Sequence, residues 1–156
     1  MQVTRAADYA VRVMLQLATL PDGSRTSRAD LARAADAPPT FVAKILQQLV
    51  DARLVTSHAG RGGGFEMARP SSEVSLLDIV SAIDGPICLN HCMPPTSDCQ
   101  RSSWCSAHPV WAEAQAALTR ALGGASLDRL AREQSARMVP PAVGAGIPAA
   151  AVGSPV

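Results

Sequence analysis

Residues 27–51 read SRADLARAADAPPTFVAKILQQLVD, and residues 54–68 follow with LVTSHAGRGGGFEMA. Ser27 can cap a short helix carrying Leu31, Ala32 and Ala35, because its hydroxyl accepts from a free amide of the first turn. Asp36-Ala37-Pro38-Pro39 breaks that helix, since proline removes a donor and restricts the residue before it. Thr40 is placed to cap a third helix whose inner stripe is Val42, Ile45, Leu46 and Leu49. Its outward side holds Ala43, Lys44, Gln47, Gln48 and Asp51. Two short helices joined by a tight turn, the second with a polar outer face, form the helix-turn-helix pattern. Leu54–Ser57 and Gly64–Ala68 are short strand candidates around a glycine-rich turn, a hairpin standing where a wing belongs.

Working outward, Thr4 can cap a first helix with Ala10, Met14, Leu17 and Ala18 on one stripe, ended by Asp22-Gly23. Ser75 caps a fourth, with Leu76, Val80 and Ile83 inward, stopped by Gly85. Pro109 suits the first residue of a long helix reaching about Leu122, with Trp111, Gln115, Leu118 and Leu122 on one stripe. Its other apolar face, Val110, Ala114, Ala117 and Ala121, is small-sided and permits close helix–helix approach. Gly123-Gly124 ends it, and a last helix covers Leu127–Glu133. The expected fold is mainly α with a small β-hairpin, a winged helix-turn-helix plus a long dimerisation helix. The division runs 1–85 for the winged helix-turn-helix, 86–108 for a cysteine-rich loop, 109–135 for the dimerisation and C-terminal helices, and 136–156 for a flexible Pro/Ala/Gly tail.

Composition agrees with this reading. A chain of 156 residues can bury a core without disulfide help, and 3% aromatic against 47% hydrophobic residues points to an aliphatic, helical interior. A formal charge of +1 excludes a grossly basic tail-type binder. The charge is unevenly spread, however: residues 1–70 carry nine Lys+Arg and six Asp+Glu, residues 71–156 five and seven. Arg5, Asp8 and Arg12 interrupt any early apolar run, which argues against a secretory signal. Val139–Val156 is charge-free but holds four prolines and three glycines, a poor membrane helix. A soluble, cytoplasmic protein with no membrane partner is expected.

Two regions carry chemistry. Lys44, Gln47 and Gln48 suit phosphates and base edges, and Thr40 sits at a helix N-terminus, where phosphates bind well. Arg61, inside Gly60-Arg61-Gly62-Gly63-Gly64, would project from the wing tip toward a phosphate or minor groove. The glycine run lacks the Gly-Lys-Ser/Thr ending of a nucleotide loop and does not open a helix. All four cysteines, Cys88, Cys92, Cys99 and Cys105, fall within 18 residues, and His108 follows. Such clustering suggests metal or redox chemistry, and spacings unlike the short pairs of zinc ribbons favour an iron–sulfur cluster while leaving zinc open. A nucleophilic Cys105 paired with His108 lacks an oxyanion hole and an orienting group, so no enzyme is expected.

Several stretches together resemble the IscR/NsrR-type winged-helix regulators of the Rrf-two superfamily. They are TRAADYAVR at 4–12, AKILQQL at 43–49, GRGGGFEMAR at 60–69, SLLDIV at 75–80 and CSAHPVW at 105–111. The resemblance covers about residues 1–135 and implies a homodimer on palindromic double-stranded promoter DNA, with a cluster on three cysteines controlling the binding. It assigns Cys92, Cys99 and Cys105 as thiolates and leaves Cys88 as an extra. The six-residue gap between Cys92 and Cys99 departs from the five of close relatives. In the IscR-like pattern His108 is the fourth ligand; in the NsrR-like pattern the match is Asp8, supplied across the dimer, although Asp8 can also pair with Arg12 four residues on. His108 is preferred, and with it a 2Fe–2S over a 4Fe–4S centre. The dimer interface would use Trp111, Ala114, Leu118, Ala121 and Leu122. Two other readings stay open: an iron-free thiol-based or zinc-binding winged-helix protein, and a metal- or redox-binding protein whose winged fold serves protein contact.

Overall fold

The structure is a computed structural model, and it describes residues 3–94 and 97–138. Six helices and one hairpin follow in order: α1 (Arg5–Ala18), α2 (Arg28–Ala34), α3 (Pro39–Asp51), β1 (Val55–His58), β2 (Gly64–Met67), α4 (Leu76–Asp84), α5 (His108–Gly123) and α6 (Leu127–Met138). A short 3₁₀ turn at Ser71–Glu73 precedes α4. The expected class, mainly α with a small hairpin, is the one observed.

Three of the four expected caps form. Thr4 accepts from the Ala7 amide and Ser27 from the Asp30 amide. Ser75 and Asp78 make a reciprocal capping box at α4. Thr40 does not cap α3: the helix starts at Pro39, with Pro38 as the N-cap and Thr40 inside the first turn. The reason is that Pro39 already has the helical φ and has no amide proton to satisfy, so the second proline begins the helix instead of breaking it.

The core gathers around α1, which packs against α2, α3, α4 and α6. Met14, Leu31, Ile45, Leu46, Leu49, Leu54, Ile79 and Leu127 are its largest fully buried side chains. Burying each such aliphatic group contributes roughly 1.5–3 kcal/mol. In α4 the buried pair is Ile79 and Val80; Leu76 and Ile83, expected inward, are half-buried.

The hairpin is antiparallel, pairing Val55 with Met67 and His58 with Gly64. Thr26, just before α2, adds a bridge to Phe65. The two residues exchange backbone bonds of 3.1 and 2.9 Å. Gly64, at φ 149°, allows this: a Cβ there would fall 2.6 Å from the Thr26 carbonyl oxygen.

Beyond the loop, α5 contributes no buried residue. The chain then returns to the first body, with Leu76 donating to the Ala125 carbonyl at 2.9 Å and Leu127 to that of Val74 at 2.8 Å. The last helix, expected to stop near Glu133, runs to Met138, past the boundary placed at 136. The rest of the expected tail, 139–156, lies outside the described residues. Among the described residues no helix is long and apolar enough to cross a membrane.

Candidate nucleic-acid interface and cysteine loop

The inward stripe of α3 fixes what its outer face offers. Val42, Ile45, Leu46 and Leu49 are buried, which leaves Thr40, Lys44, Gln47 and Gln48 exposed on one side. The Gln47 side chain donates to Asp51 Oδ1 at 2.9 Å, so its amide is held along the helix rather than free to turn. Phe41, at 48% exposure, stands edge-on to Tyr9 with ring centroids 6.2 Å apart. An exposed phenylalanine beside Lys44 could touch a thymine methyl or sugar face. Polarity alone does not mark such a residue in the sequence, because an exposed phenylalanine looks like a core side chain.

Behind that face, Tyr9, Arg28, Arg33 and Pro38 line an open groove of about 830 Å³. Of its two arginines, Arg33 is ion-paired with Asp30 at 3.1 Å, and Asp36 also lines the groove. Arg61 is exposed at the hairpin tip. It lies between Gly60 (φ 89°) and Gly62 (φ 76°), left-handed positions that a side chain would strain.

The cysteine loop is anchored at its near end. Asp84, the last residue of α4, accepts from the Thr4 amide at 3.0 Å and from the Thr4 hydroxyl at 2.5 Å. Gln115 of α5 accepts from the Leu89 amide at 2.9 Å and donates to the Ile87 carbonyl at 2.5 Å, bracketing Cys88. Gln115 was expected on an apolar stripe; its amide instead holds the loop backbone.

All four thiols are free and half-buried. Cys92 and His108 line one shallow depression of about 340 Å³ with Met93, Ser97 and Ala112. His108 opens α5, with Pro109 second. Its Nδ1 is buried without a hydrogen-bond partner among the described residues. A buried imidazole nitrogen left bare costs free energy unless a proton donor or a metal satisfies it. Thus the donor chemistry fits a soft metal or cluster, and one thiol and one imidazole line the same depression. Cys99 and Cys105 do not line that depression, and among the described residues no three His, Cys, Asp or Glu side chains converge at metal-binding distance. Asp8 is ion-paired with Arg12 at 2.7 Å. Arg12 in turn reaches the Ala35 carbonyl at 3.4 Å, which places the pair on the helix-turn-helix side of α1.

On α5, Trp111, Ala114 and Ala121 are exposed, and Leu118 and Leu122 are half-buried. Within one chain this helix touches chiefly α4. Val110 on the same helix (65% exposed) and Trp104 in the loop before it (70%) add apolar surface.

Comparisons with known proteins converge. The model of the Rrf2 family, iron-dependent transcriptional regulators, matches residues 3–133. Over 87 residues the chain is 48% identical to two Mycobacterium tuberculosis proteins named as HTH-type transcriptional regulators, MT1325 and Rv1287. That match covers 56% of this chain and 54% of each relative, so the chain spans about half their length. Protein aau3 of Rhizobium meliloti is 32% identical over 134 residues, covering 85% of this chain and 86% of aau3. Among solved structures, CymR of B. subtilis superposes with a TM-score of 0.70 at 20% identity, over 85% of this chain and 98% of CymR. IscR of T. potens gives 0.70 at 20%, over 90% and 94%. These likenesses confirm the winged-helix fold, and with the family match they lead to one assignment: the chain belongs to the Rrf2 family of transcriptional regulators.

Proposed function

We propose that this chain is a homodimeric regulator binding palindromic promoter DNA, with an affinity set by the state of the Cys88–Cys105 loop. The exposed Thr40, Lys44, Gln47 and Gln48 of α3 would meet a major groove, and Arg61 the flanking backbone or minor groove. The observation carrying the DNA reading is the polar face of α3 held on the same core as the wing. Dimerisation through Trp111, Ala114, Leu118, Ala121 and Leu122 rests on α5 having no buried residue in the single chain. Two half-sites then read two α3 helices one turn or more apart.

Cys92, Cys99 and Cys105 with His108 would hold an iron–sulfur cluster, the 2Fe–2S type being favoured by the unpartnered His108 nitrogen. Bound, the group would supply redox and ligand-exchange chemistry. The remaining work belongs to the chain's own side chains. Gln115 grips the backbone on both sides of Cys88, and Asp84 grips Thr4 at the start of α1. A loop rearrangement therefore pulls on α5 and α1 together, and α1 is the helix on which α2 and α3 pack.

A second reading has its own support: four free thiols of which no three are gathered with a further donor among the described residues. In that reading cysteine oxidation acts directly, without iron; CymR, a fold neighbour, is the global cysteine regulator of B. subtilis. Anaerobic purification with visible absorption and iron and sulfide analysis separates the two. Iron and acid-labile sulfide support the cluster; their absence, with DNA affinity still changing on thiol oxidation, supports the thiol mechanism. Duplex retardation at several salt concentrations tests the DNA reading itself, since phosphate binding weakens steeply with salt.

A further inference from the structure

The face of the hairpin turned from the core carries a charge network that the DNA reading leaves unused. Glu66 stands opposite Thr56 and diagonal to His58. Its carboxylate accepts from His58 Nε2 at 2.7 Å and from Arg25 Nε at 3.3 Å. Arg25 precedes Thr26, the residue whose backbone pairs with Phe65. The hydrogen bond from His58, then the one from Arg25, holds the Glu66 carboxyl below its ordinary range against the opposing effect of burial.

Two strands of four residues make a marginal hairpin alone. The third strand that steadies this one is a single residue wide, the Thr26–Phe65 bridge. That bridge and the packing of Val55, Phe65 and Met67 on the core set the angle at which the wing stands. The Arg25–Glu66–His58 network crosses beside the bridge and joins the wing's two strands to the segment leading into α2. An unmatched acid on a DNA-facing hairpin would repel phosphate; here two cationic or proton-donating partners balance it.

We propose that Glu66 is a positioning residue for DNA binding: by holding Arg25 and His58 it fixes the angle between wing and helix-turn-helix, so that Arg61 and the α3 face reach the duplex together. The proposal rests on the reading that the wing tip touches DNA.

The test measures affinity of the full chain for a mixed-sequence duplex of about 30 base pairs, by fluorescence anisotropy across a series of KCl concentrations. Arg61→Ala should lower both affinity and the salt slope, the latter by about one. Glu66→Ala and Arg25→Ala should each lower affinity about three- to tenfold while keeping the wild-type slope, because no phosphate contact is removed. Glu66→Gln should recover most of the loss, since its amide oxygen can still accept from Arg25 while its NH2 donates to His58 Nε2 in the Nδ1–H tautomer. Amide exchange at Phe65 should quicken in Glu66→Ala with an unchanged melting temperature, which separates a loosened wing from an unfolded chain. Wild-type affinity in Glu66→Ala overturns the proposal. So does a slope lowered by about one in Arg25→Ala, which would make Arg25 a phosphate contact in its own right. An Arg61→Ala protein that binds like wild type overturns the wing reading itself, and the positioning role with it.

Discussion

The body built from α1–α4, the hairpin and α6 buries Met14, Leu31, Ile45, Leu46, Leu49, Ile79 and Leu127. Among the described residues, the segment from the cysteine loop through α5 buries almost nothing; Ile87 is its one core-like side chain, beside the Gln115 clamp. The first region is finished within one chain. The second presents thiols, tryptophans and a half-covered helix, all features whose free energy depends on what is added to them. Packed and open surface are thus allotted to different stretches of sequence, and under the proposed function that division would let the DNA-reading body stay rigid while the cysteine loop changes state.

The contrast can be broken most directly by truncation. Leu46→Ala should cost about 2–5 kcal/mol in denaturant unfolding, since Leu46 is fully buried. Leu118→Ala should cost the isolated chain less than about 1 kcal/mol. Equal costs would erase the distinction between the regions. Leu118→Glu should give monomers by sedimentation and weaken binding to a two-half-site duplex; a variant still dimeric would move the interface off α5.

The sensor half is sharpened by its ligands. Cys92→Ala, Cys99→Ala and Cys105→Ala should each abolish colour and bound iron, while Cys88→Ala keeps both. Loss on Cys88→Ala with retention on Cys92→Ala would shift the ligand register. If His108→Ala bleaches the protein and Asp8→Ala does not, the imidazole is the fourth ligand; the reverse result favours a carboxylate and a 4Fe–4S centre.

Smaller effects probe the reader. Lys44→Ala should weaken duplex binding several-fold, and Gln47→Ala or Gln48→Ala should relax sequence preference, each base contact being worth about 1–3 kcal/mol. Unchanged selectivity in both glutamine variants would put another face on DNA. Acid should reach the reader gently. Hydrogen bonding, from Ser126 to Asp128 and from His58 to Glu66, holds both carboxyls below their ordinary values. A folded-state carboxyl lowered in this way stabilises the protein above its ordinary range, and the contribution is lost as pH falls below about 4. Asp128→Asn should therefore flatten the acid limb of an unfolding-versus-pH curve; an unaltered limb would remove Asp128 from the account.

What the sequence reveals here follows the range of the interaction. Caps at Thr4, Ser27 and Ser75 are legible because hydroxyl and amide lie three residues apart. The α3 face is legible because burial at Val42, Ile45, Leu46 and Leu49 follows the helical period. Thr40 misleads, because a proline can either end or begin a helix and only the chain before it decides which. The Arg25–Glu66 pair spans 41 residues, Thr4–Asp84 spans 80 and Gln115–Leu89 spans 26. No periodicity encodes such pairs. For the cysteines, clustering suggests the chemistry, but that Cys92 and His108 line one depression without Cys99 or Cys105 depends on how the loop lies against α5.

The return of α6 gives the molecule a property of its connectivity. The chain leaves the reader after Asp84 and rejoins it where Ser126 bridges Ser75, so the sensing stretch is a handle sewn on at both ends rather than a trailing appendage. A handle of this kind transmits torque. Turning α5 twists two attachment points at once, and Gly85 and Gly124 stand at the seams. Under the proposed function, a change in the loop would therefore reach the body through both seams at once.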